Sequence, residues 1–383
     1  MKATNLGDHL PPGAPVPTLA VVLVNYNSWP DVDRVVGGLV DEPEFRAGRF
    51  QVVVVDNASR GPIPDRFTSL PQGVRLLSRP DNGGFAAGVN AGWRVARGRW
   101  LLILNPDVEV ERGWIGQVLG RIAEYDRRPE GPPGIVGFGL RNPDGSTQGS
   151  VGVFPSLGRT IREQFIPRSR RKYQAGWRIR PGRVDWVTGA CMLVHSGMMS
   201  AVGGMDEDFF LYHEEVALSR SAQDLGWPVE YDPGLGVVHR HPLQDRAVSP
   251  KMRVILRHSK LLYFWKHLPG RPFRAILGIV AAEAAIRGAA AAMLGRTPEA
   301  RAWRTIRSIV GGFRRGNPVR GRDVLRLAED AESGDVPADG GIPGREMTGR
   351  HEAGPEWRKD GSACRATTIS SASASSWRRP PSC

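Results

Sequence analysis

The sequence predicts an α/β fold, an open and mostly parallel sheet flanked by helices and continued at its C-terminus by a helical extension. Three observations lead there. Short apolar, β-branched runs recur at "TLAVVLVNYN" (18–27), "FQVVVVDNAS" (50–59) and "RWLLILNPD" (99–107), as in strands buried on both faces. Segments of helical period separate them, the alternation that builds parallel sheets. After His239 the strand-like runs give way to basic and alanine-rich segments.

Residues 1–17 are polar and proline-rich, which predicts disorder, and no basic region followed by an apolar run marks a secretory signal. After strand 18–27, Val32, Val35, Val36 and Leu39 fall on one helical face. Strand 50–59 and a weaker strand "GVRLLS" (73–78) follow, then a helix from about Gly84 to Ala96. Beyond strand 99–107, Trp114, Val118, Ile122 and Tyr125 mark another helix. The stretch from about 130 to 212 carries the turn signals "NPDG" and "FPSLG" and a strand "RVDWVTGACMLV" (183–194), which predicts shorter, mixed strands joined to the parallel half. "KMRVILRHSKLLYFWKHL" reads as a basic amphipathic helix with apolar Val254, Leu261, Leu262 and Phe264. "AILGIVAAEAAIRGAAAAML" (275–294) is mostly alanine and aliphatic, but Glu283 and Arg287 sit four residues apart within it. That predicts a helix lying in an interface or packed in a bundle rather than spanning a bilayer alone. Beyond about Ser333 the chain is Gly/Ser/Pro-rich without period, as in disordered segments.

The net charge of +13 is localised: residues 240 to 330 hold 19 Lys/Arg against six Asp/Glu, an excess equal to that of the whole chain. Such a block seeks an anionic partner, whether nucleic acid, acidic lipid or a diphosphate. No nucleic-acid-binding motif accompanies it, so none of the first kind is expected. Cys191, Cys364 and Cys383 are too scattered for a disulfide framework, and the absence of CxxC disfavours a zinc site. The cysteine usage points to a reducing compartment.

Three strong strands end in polar clusters: "NYNS" with Asn25, "DNAS" with Asp56, and "NPD" with Asn105 and Asp107. Ligands of parallel sheets bind at that edge. Asp56 can accept hydrogen bonds from a base or ribose, or can close an Asx turn. In "RPDNGGFAAGVNAG", Gly83 and Gly84 allow close backbone approach and the following helix offers free N–H groups to an anion; a plain glycine turn is the alternative. The pattern is not GxGxxG, which disfavours a dinucleotide. Asp107 alone is a poor cation site, but together with a substrate diphosphate it suits Mg²⁺ or Mn²⁺. His239 in "GVVHRHP" is either a second ligand or a structural histidine. In "DEDFFLYHEEVALSR" (206–220), Glu214 and Glu215 open a helix. Adjacent helical residues diverge by about 100°, so only one can face a cleft squarely. Both could instead serve the helix dipole.

Taken in order, "VVLVNYNS", "VVVVDNAS", "DNGGFAAGVN", "LLILNPD", "VDWVTGACMLV", "GGMDEDFFLYHEEVALSR", "VVHRH" and "SKLLYFWKH" strongly resemble glycosyltransferase family 2 over roughly residues 18–268, nearest its rhamnosyltransferase-like branch. The resemblance implies a GT-A fold, a nucleotide-diphospho-sugar donor, a divalent metal (Mg²⁺ or Mn²⁺) and inversion at the anomeric carbon. It directs Asn25, Asp56, Asn82, Gly84, Phe85, Asn90, Asn105 and Asp107 to the donor. Asp185, Trp186, Thr188, Gly189 and Glu214 fall to the sugar and acceptor cleft, Asp107 and His239 to the metal, and Glu215 to the catalytic base. Glu215 stands where the family most often has Asp, and Ala217 where it usually has a second acid.

The expected organisation is a disordered 1–17, a GT-A catalytic domain over 18–245, a basic helical region over 246–330 that meets membrane or acceptor, and a disordered tail over 331–383. The expected function is inverting transfer of a sugar, plausibly L-rhamnose from a dTDP donor, to a lipid-linked or polysaccharide acceptor in cell-envelope biosynthesis. The protein is expected to be cytoplasmic and peripheral at the inner face of an anionic membrane. There "LLYFWKHLPGRPFR" offers a contact surface, or else ordinary core aromatics. Ala217 leaves open a catalytically weakened or inactive homologue that only binds a nucleotide-sugar. A nucleotidyltransferase is the remaining alternative, disfavoured because "NYNSWPDVD" lacks a basic, glycine-rich signature.

Overall fold

Strands form where the β-branched runs predict them. In chain order they are β1 (Asn5–Leu6), β2 (Leu19–Asn25), β3 (Phe50–Asp56), β4 (Val74–Ser78), β5 (Trp100–Leu104), β6 (Val108–Glu109), β7 (Ile135–Arg141), β8 (Thr147–Gln148), β9 (Val151–Gly152), β10 (Gly182–Arg183), β11 (Trp186–Val187), β12 (Cys191–His195) and β13 (Val229–His239). The helices are α1 (Trp29–Val40), α2 (Pro43–Arg46), α3 (Phe85–Val95), α4 (Trp114–Asp126), α5 (Leu157–Glu163), α6 (Ser196–Val202), α7 (Glu214–Asp224), α8 (Pro250–His267), α9 (Arg271–Met293), α10 (Thr297–Arg314) and α11 (Asp323–Ser333). This computed structural model describes residues 5–6, 16–163, 180–240 and 248–333, all inside one unit, Met1–Val336.

Among the described residues the main sheet runs β1-β4-β3-β2-β5-β12-β7-β13-β10, with β6 on β13 and β8 on β7. Strands β4, β3, β2 and β5 are mutually parallel, and β7 is parallel to β13. Only β12 runs against both its neighbours, β5 and β7. Its reversal matters for the site. The start of β12, and the residues just before it, lie at the edge where β2, β3, β5, β7 and β13 end.

Side-chain alternation divides the sheet between two cores. Leu19, Val21 and Leu23 face α1 and α4, while Ala20 and Val22 face α3, α6 and α7. With both faces covered, the strands read as continuous apolar runs. A third core joins α8, α9, α10 and α11 to Phe209, Phe210, Val216 and Ala217, so the extension grips the loop and helix around the acidic stretch.

Several expectations change. Asn5–Leu6, inside the stretch expected to lack structure, pairs antiparallel with Leu76–Leu77 on the open edge of β4. Residues 1–4 and 7–15, and the tail beyond 333, lie outside the described residues. The single strand expected over 183–194 is three: β10 on β13, β11 on β9, and β12 in the main sheet. The turn at Gly189–Ala190 separates the last two. Leu261, Leu262, Tyr263 and Phe264, offered as a membrane-contact segment, are fully buried in the third core. Their apolar area stabilises the fold instead.

Glu283 of α9 accepts from Arg257 Nε and Nη2 at 2.9 and 2.6 Å and pairs with Arg287 at 3.2 Å, tying that face of α9 to α8. His258, fully buried on α8, has Nε2 2.6 Å from the carbonyl oxygen of Val319. Burial pushes its pKa down to about 4, with the Val319 carbonyl opposing the shift. The unfolded value is near ~6.5, so the unfolded chain takes up the proton first. Stability is therefore complete above the unfolded value and falls as pH drops toward the folded one, by up to about 1.4 kcal/mol per pH unit for one proton. Burial lowers His195 and His267 in the same direction. We expect the melting temperature to fall between about pH 7 and about pH 5. His258→Gln, which keeps a donor for Val319, should fall less over that interval; an identical profile would remove His258 from the account.

Candidate functional site

The loops after β2 and β3 are stitched side by side. Asn25 Nδ2 donates to Asp56 Oδ1 at 2.9 Å and to Ser59 Oγ at 3.0 Å, while its Oδ1 accepts from Ser28 N at 3.0 Å. Asn25 is fully buried, so it orients Asp56 rather than facing a ligand itself. Asp56 ends β3 with Oδ2 making no hydrogen bond among the described residues. Asn57, which the sequence reading passed over, donates to Asn82 Oδ1 at 2.8 Å and to the Gly84 carbonyl oxygen at 3.0 Å. The Asn82 oxygen also accepts from Gly84 N at 3.0 Å, which fixes the glycine turn in front of α3.

Gly84 has φ 92° and ψ 178°, a region essentially reserved for glycine. A Cβ there would overlap the carbonyl oxygen of Phe210, and the next residue, Phe85, donates its N–H to that same oxygen at 3.0 Å. The glycine is thus demanded by contact between two loops of the protein. Asn90, expected to shape the donor pocket, is buried and clamps the acidic loop: Nδ2 donates to Met205 O and Glu207 Oε1, both at 2.8 Å, and Oδ1 accepts from Met205 N. Its contribution to any pocket runs through that loop.

The metal candidates meet through strand register. β6 pairs with the end of β13 so that His239 lies opposite Val108, the residue after Asp107. His239 Nε2 stands 3.3 Å from Asp107 Oδ1. On its other side Nδ1 is 3.0 Å from Gln148 Oε1, an acceptor that directs the ring proton to Nδ1. In that tautomer the Nε2 lone pair would face the carboxylate, an arrangement that suits a cation bound by both. Among the described residues no third His, Cys, Asp or Glu completes a protein-only site. Mg²⁺ and Mn²⁺ characteristically use one or two protein ligands plus phosphate oxygens, so the donor set fits. Gln148 was hidden within a stretch legible only as a turn. Asn105 donates its backbone N–H to Ala190 O at 2.9 Å, joining the metal loop to the turn before β12.

Glu214 and Glu215 open α7 and are both only 4% exposed. The positive end of the helix dipole lies at these carboxylates. An ideal Cβ on Gly189 would lie 3.2 Å from the Phe85 ring and 3.9 Å from Glu215 Cβ, so Phe85, Gly189 and Glu215 converge. Tyr212 and His213, just before α7, hold φ of 68° and 69°. Among the described residues the other non-glycine positive φ values belong to Asn27 and Ala58, after β2 and β3. All four border this edge, and strained backbone of this kind gathers at functional sites. The acids before α7 are held elsewhere: Lys266 Nζ bonds Asp206 and Asp208 at 2.6 Å each, and Ser259 donates to Leu211 O at 2.8 Å.

The residues assigned to the acceptor cleft divide. Gly189 lies at the edge with Glu215. Trp186 is buried, donating to Val153 O at 3.1 Å, and belongs to the third core. Asp185 Oδ2 accepts from Phe154 N at 2.8 Å, and Thr188 N donates to Ser150 O at 2.8 Å. All three are bonded to residues 150–154. Ala217, where an acid was expected by resemblance, is buried against the helical extension, an environment hostile to a carboxylate.

Residues 20–197 match the family description "Glycosyl transferase family 2". The chain is 28% identical over 267 residues to the N-acetylglucosaminyl-diphospho-decaprenol L-rhamnosyltransferase of Mycobacterium tuberculosis, covering 64% of this chain and 83% of that one. It is 23% identical over 247 residues to the low-salt glycan biosynthesis hexosyltransferase Agl10 of Haloferax volcanii, covering 62% of this chain and 72% of that one. Among solved structures, the mannosyltransferase PcManGT from Pyrobaculum calidifontis in complex with GDP-Man and Mn²⁺ is 17% identical with a TM-score of 0.43, covering 86% of this chain and 90% of that one.

Proposed function

Residues 20–197 of this chain form a glycosyltransferase family 2 domain on a GT-A sheet, and from that premise we propose that the enzyme transfers L-rhamnose, with inversion, from a nucleoside-diphosphate donor to a lipid-linked acceptor. Likeness to a relative whose name carries both that sugar and a diphospho-lipid acceptor supports the choice.

Glu215 acts as the general base. It takes the proton of the acceptor hydroxyl as that oxygen attacks the anomeric carbon. The bond from that carbon to the diphosphate oxygen breaks, its electron pair leaves with the nucleoside diphosphate, and the configuration inverts. The diphosphate is already a good leaving group, so no general acid is required. Asp107 and His239 would hold a divalent cation, which when bound neutralises charge gathering on the departing diphosphate. Gln148 keeps the His239 lone pair directed at it. Asp56, oriented by Asn25, receives the nucleoside.

The observation that carries this reading is the facing pair Asp107 and His239, 3.3 Å apart at the edge where the strands end. Asp107→Ala should weaken donor binding on the order of 10–100-fold or more, and only when Mg²⁺ or Mn²⁺ is present. Calorimetry with and without chelator checks it. Equal wild-type donor affinity in both conditions would remove the ligand role. A panel of sugar nucleotides, scored by released nucleoside diphosphate, tests the sugar.

A further inference from the structure

Helix α9 leaves one face uncovered. Gly278, Ala282, Ala285 with its neighbour Ile286, Ala289 and Met293 follow one another at a spacing of three or four residues, and all are exposed. Ile286 is 70%, Met293 81% and Leu294 65% exposed, three of the eight large apolar side chains so exposed among the described residues. By length and composition the helix could cross a membrane. Its opposite face, however, is bonded through Glu283 to Arg257 of α8 and packed against Trp303 of α10 through Gly288. An apolar row outward and a tethered row inward is the pattern of a helix lying in an interface.

Beside that row runs a basic one. Between α9 and α10 lies a groove of about 420 Å³, with Ala281 and Ala285 on one wall and Arg307, Ser308, Gly311 and Arg314 on the other. Gly311 lets the Arg315 guanidinium lie close over its backbone, an ideal Cβ being 3.2 Å from Nη1. Arg307, Arg314 and Arg315 form no ion pair among the described residues. By contrast, Arg257 and Arg287 share Glu283, and Arg320 and Arg322 have carboxylate partners.

We propose that this α9–α10 face is a docking surface for an anionic phospholipid bilayer. Ile286, Met293 and Leu294 enter the acyl boundary, and the groove arginines bond the lipid phosphates. Charge complementarity selects the occupant. Unpaired guanidiniums suit phosphate, and only a bilayer offers apolar depth beside a sheet of phosphates. The surface stands apart from the donor and acceptor assignments, since binding is scored without either.

The full chain is sedimented with phosphatidylcholine vesicles, pure or mixed with phosphatidylglycerol, at low and high salt. It should bind the mixed vesicles, bind pure phosphatidylcholine far less, and lose affinity with salt. Arg307→Glu with Arg314→Glu should weaken binding roughly 30-fold or more. Ile286→Ser with Met293→Ser should weaken it while leaving its salt dependence in place. All four sites are on exposed positions or the groove rim, and melting curves confirm that the variants fold. Inorganic phosphate should compete poorly. Unchanged binding by both double variants would overturn the proposal. So would capture of duplex DNA in preference to vesicles, or full displacement by inorganic phosphate.

Discussion

Glu215→Gln should suppress transfer and leave the donor bound. Glutamine keeps the size of the side chain and its place at the start of α7, but it cannot accept the acceptor's proton. General bases contribute about 10²–10⁴-fold, and the loss should fall in that range. Donor affinity should hold, because Asp56 and His239 end β3 and β13 and Asp107 lies in the loop between β5 and β6, away from α7 in the chain. Glu214→Gln is the internal control. Its side chain diverges from its neighbour's by about 100°, so turnover should fall far less. Released nucleoside diphosphate and calorimetric donor affinity read both effects. Near-normal turnover in the Glu215 variant, or equal losses in the two, would sink the assignment.

Gly84→Ala is the second large effect, and it acts through backbone alone. The φ of 92° costs an alanine about 1–3 kcal/mol before any contact is counted. The added methyl also meets the Phe210 carbonyl, so one of two loops must move. The first carries the Asn57–Asn82–Gly84 bonds beside Asp56; the second leads through Tyr212 and His213 into α7. We expect a lower melting temperature together with a loss of donor affinity of roughly 5- to 150-fold, the equivalent of about 1–3 kcal/mol. A variant that binds donor normally would mean that the contact between these loops does not shape the pocket.

Much of this was legible beforehand because the parallel strands are buried on both faces. Their β-branched runs identify β2, β3 and β5 with no knowledge of partners, and the polar residues that end them fall on one edge by topology alone. The direction of β12 was not legible. "RVDWVTGACMLV" reads as one continuous run, and only pairing with three different partners divides it. The roles of Asn25 and Asn90 were obscured for a related reason. An asparagine, at the end of β2 or within α3, looks the same whether its amide meets a ligand or a neighbouring loop. Gln148 gave no signal, since its function depends on a histidine 91 residues away. The aromatics of α8 were ambiguous because apolar residues among cations suit a membrane surface and a core beneath arginines equally well.

The grip on residues 206–213 has one more consequence. Lys266 and Ser259 of α8, Asn90 of α3 through Glu207, and the backbone of Gly321 all hold this short segment. It therefore offers no hinge between α7 and the C-terminal helices. Whatever supports α9 from outside also sets the height at which Glu215 stands. With α9 seated on a bilayer as proposed, acceptors would be selected by how far their reactive hydroxyl reaches from the surface that carries them.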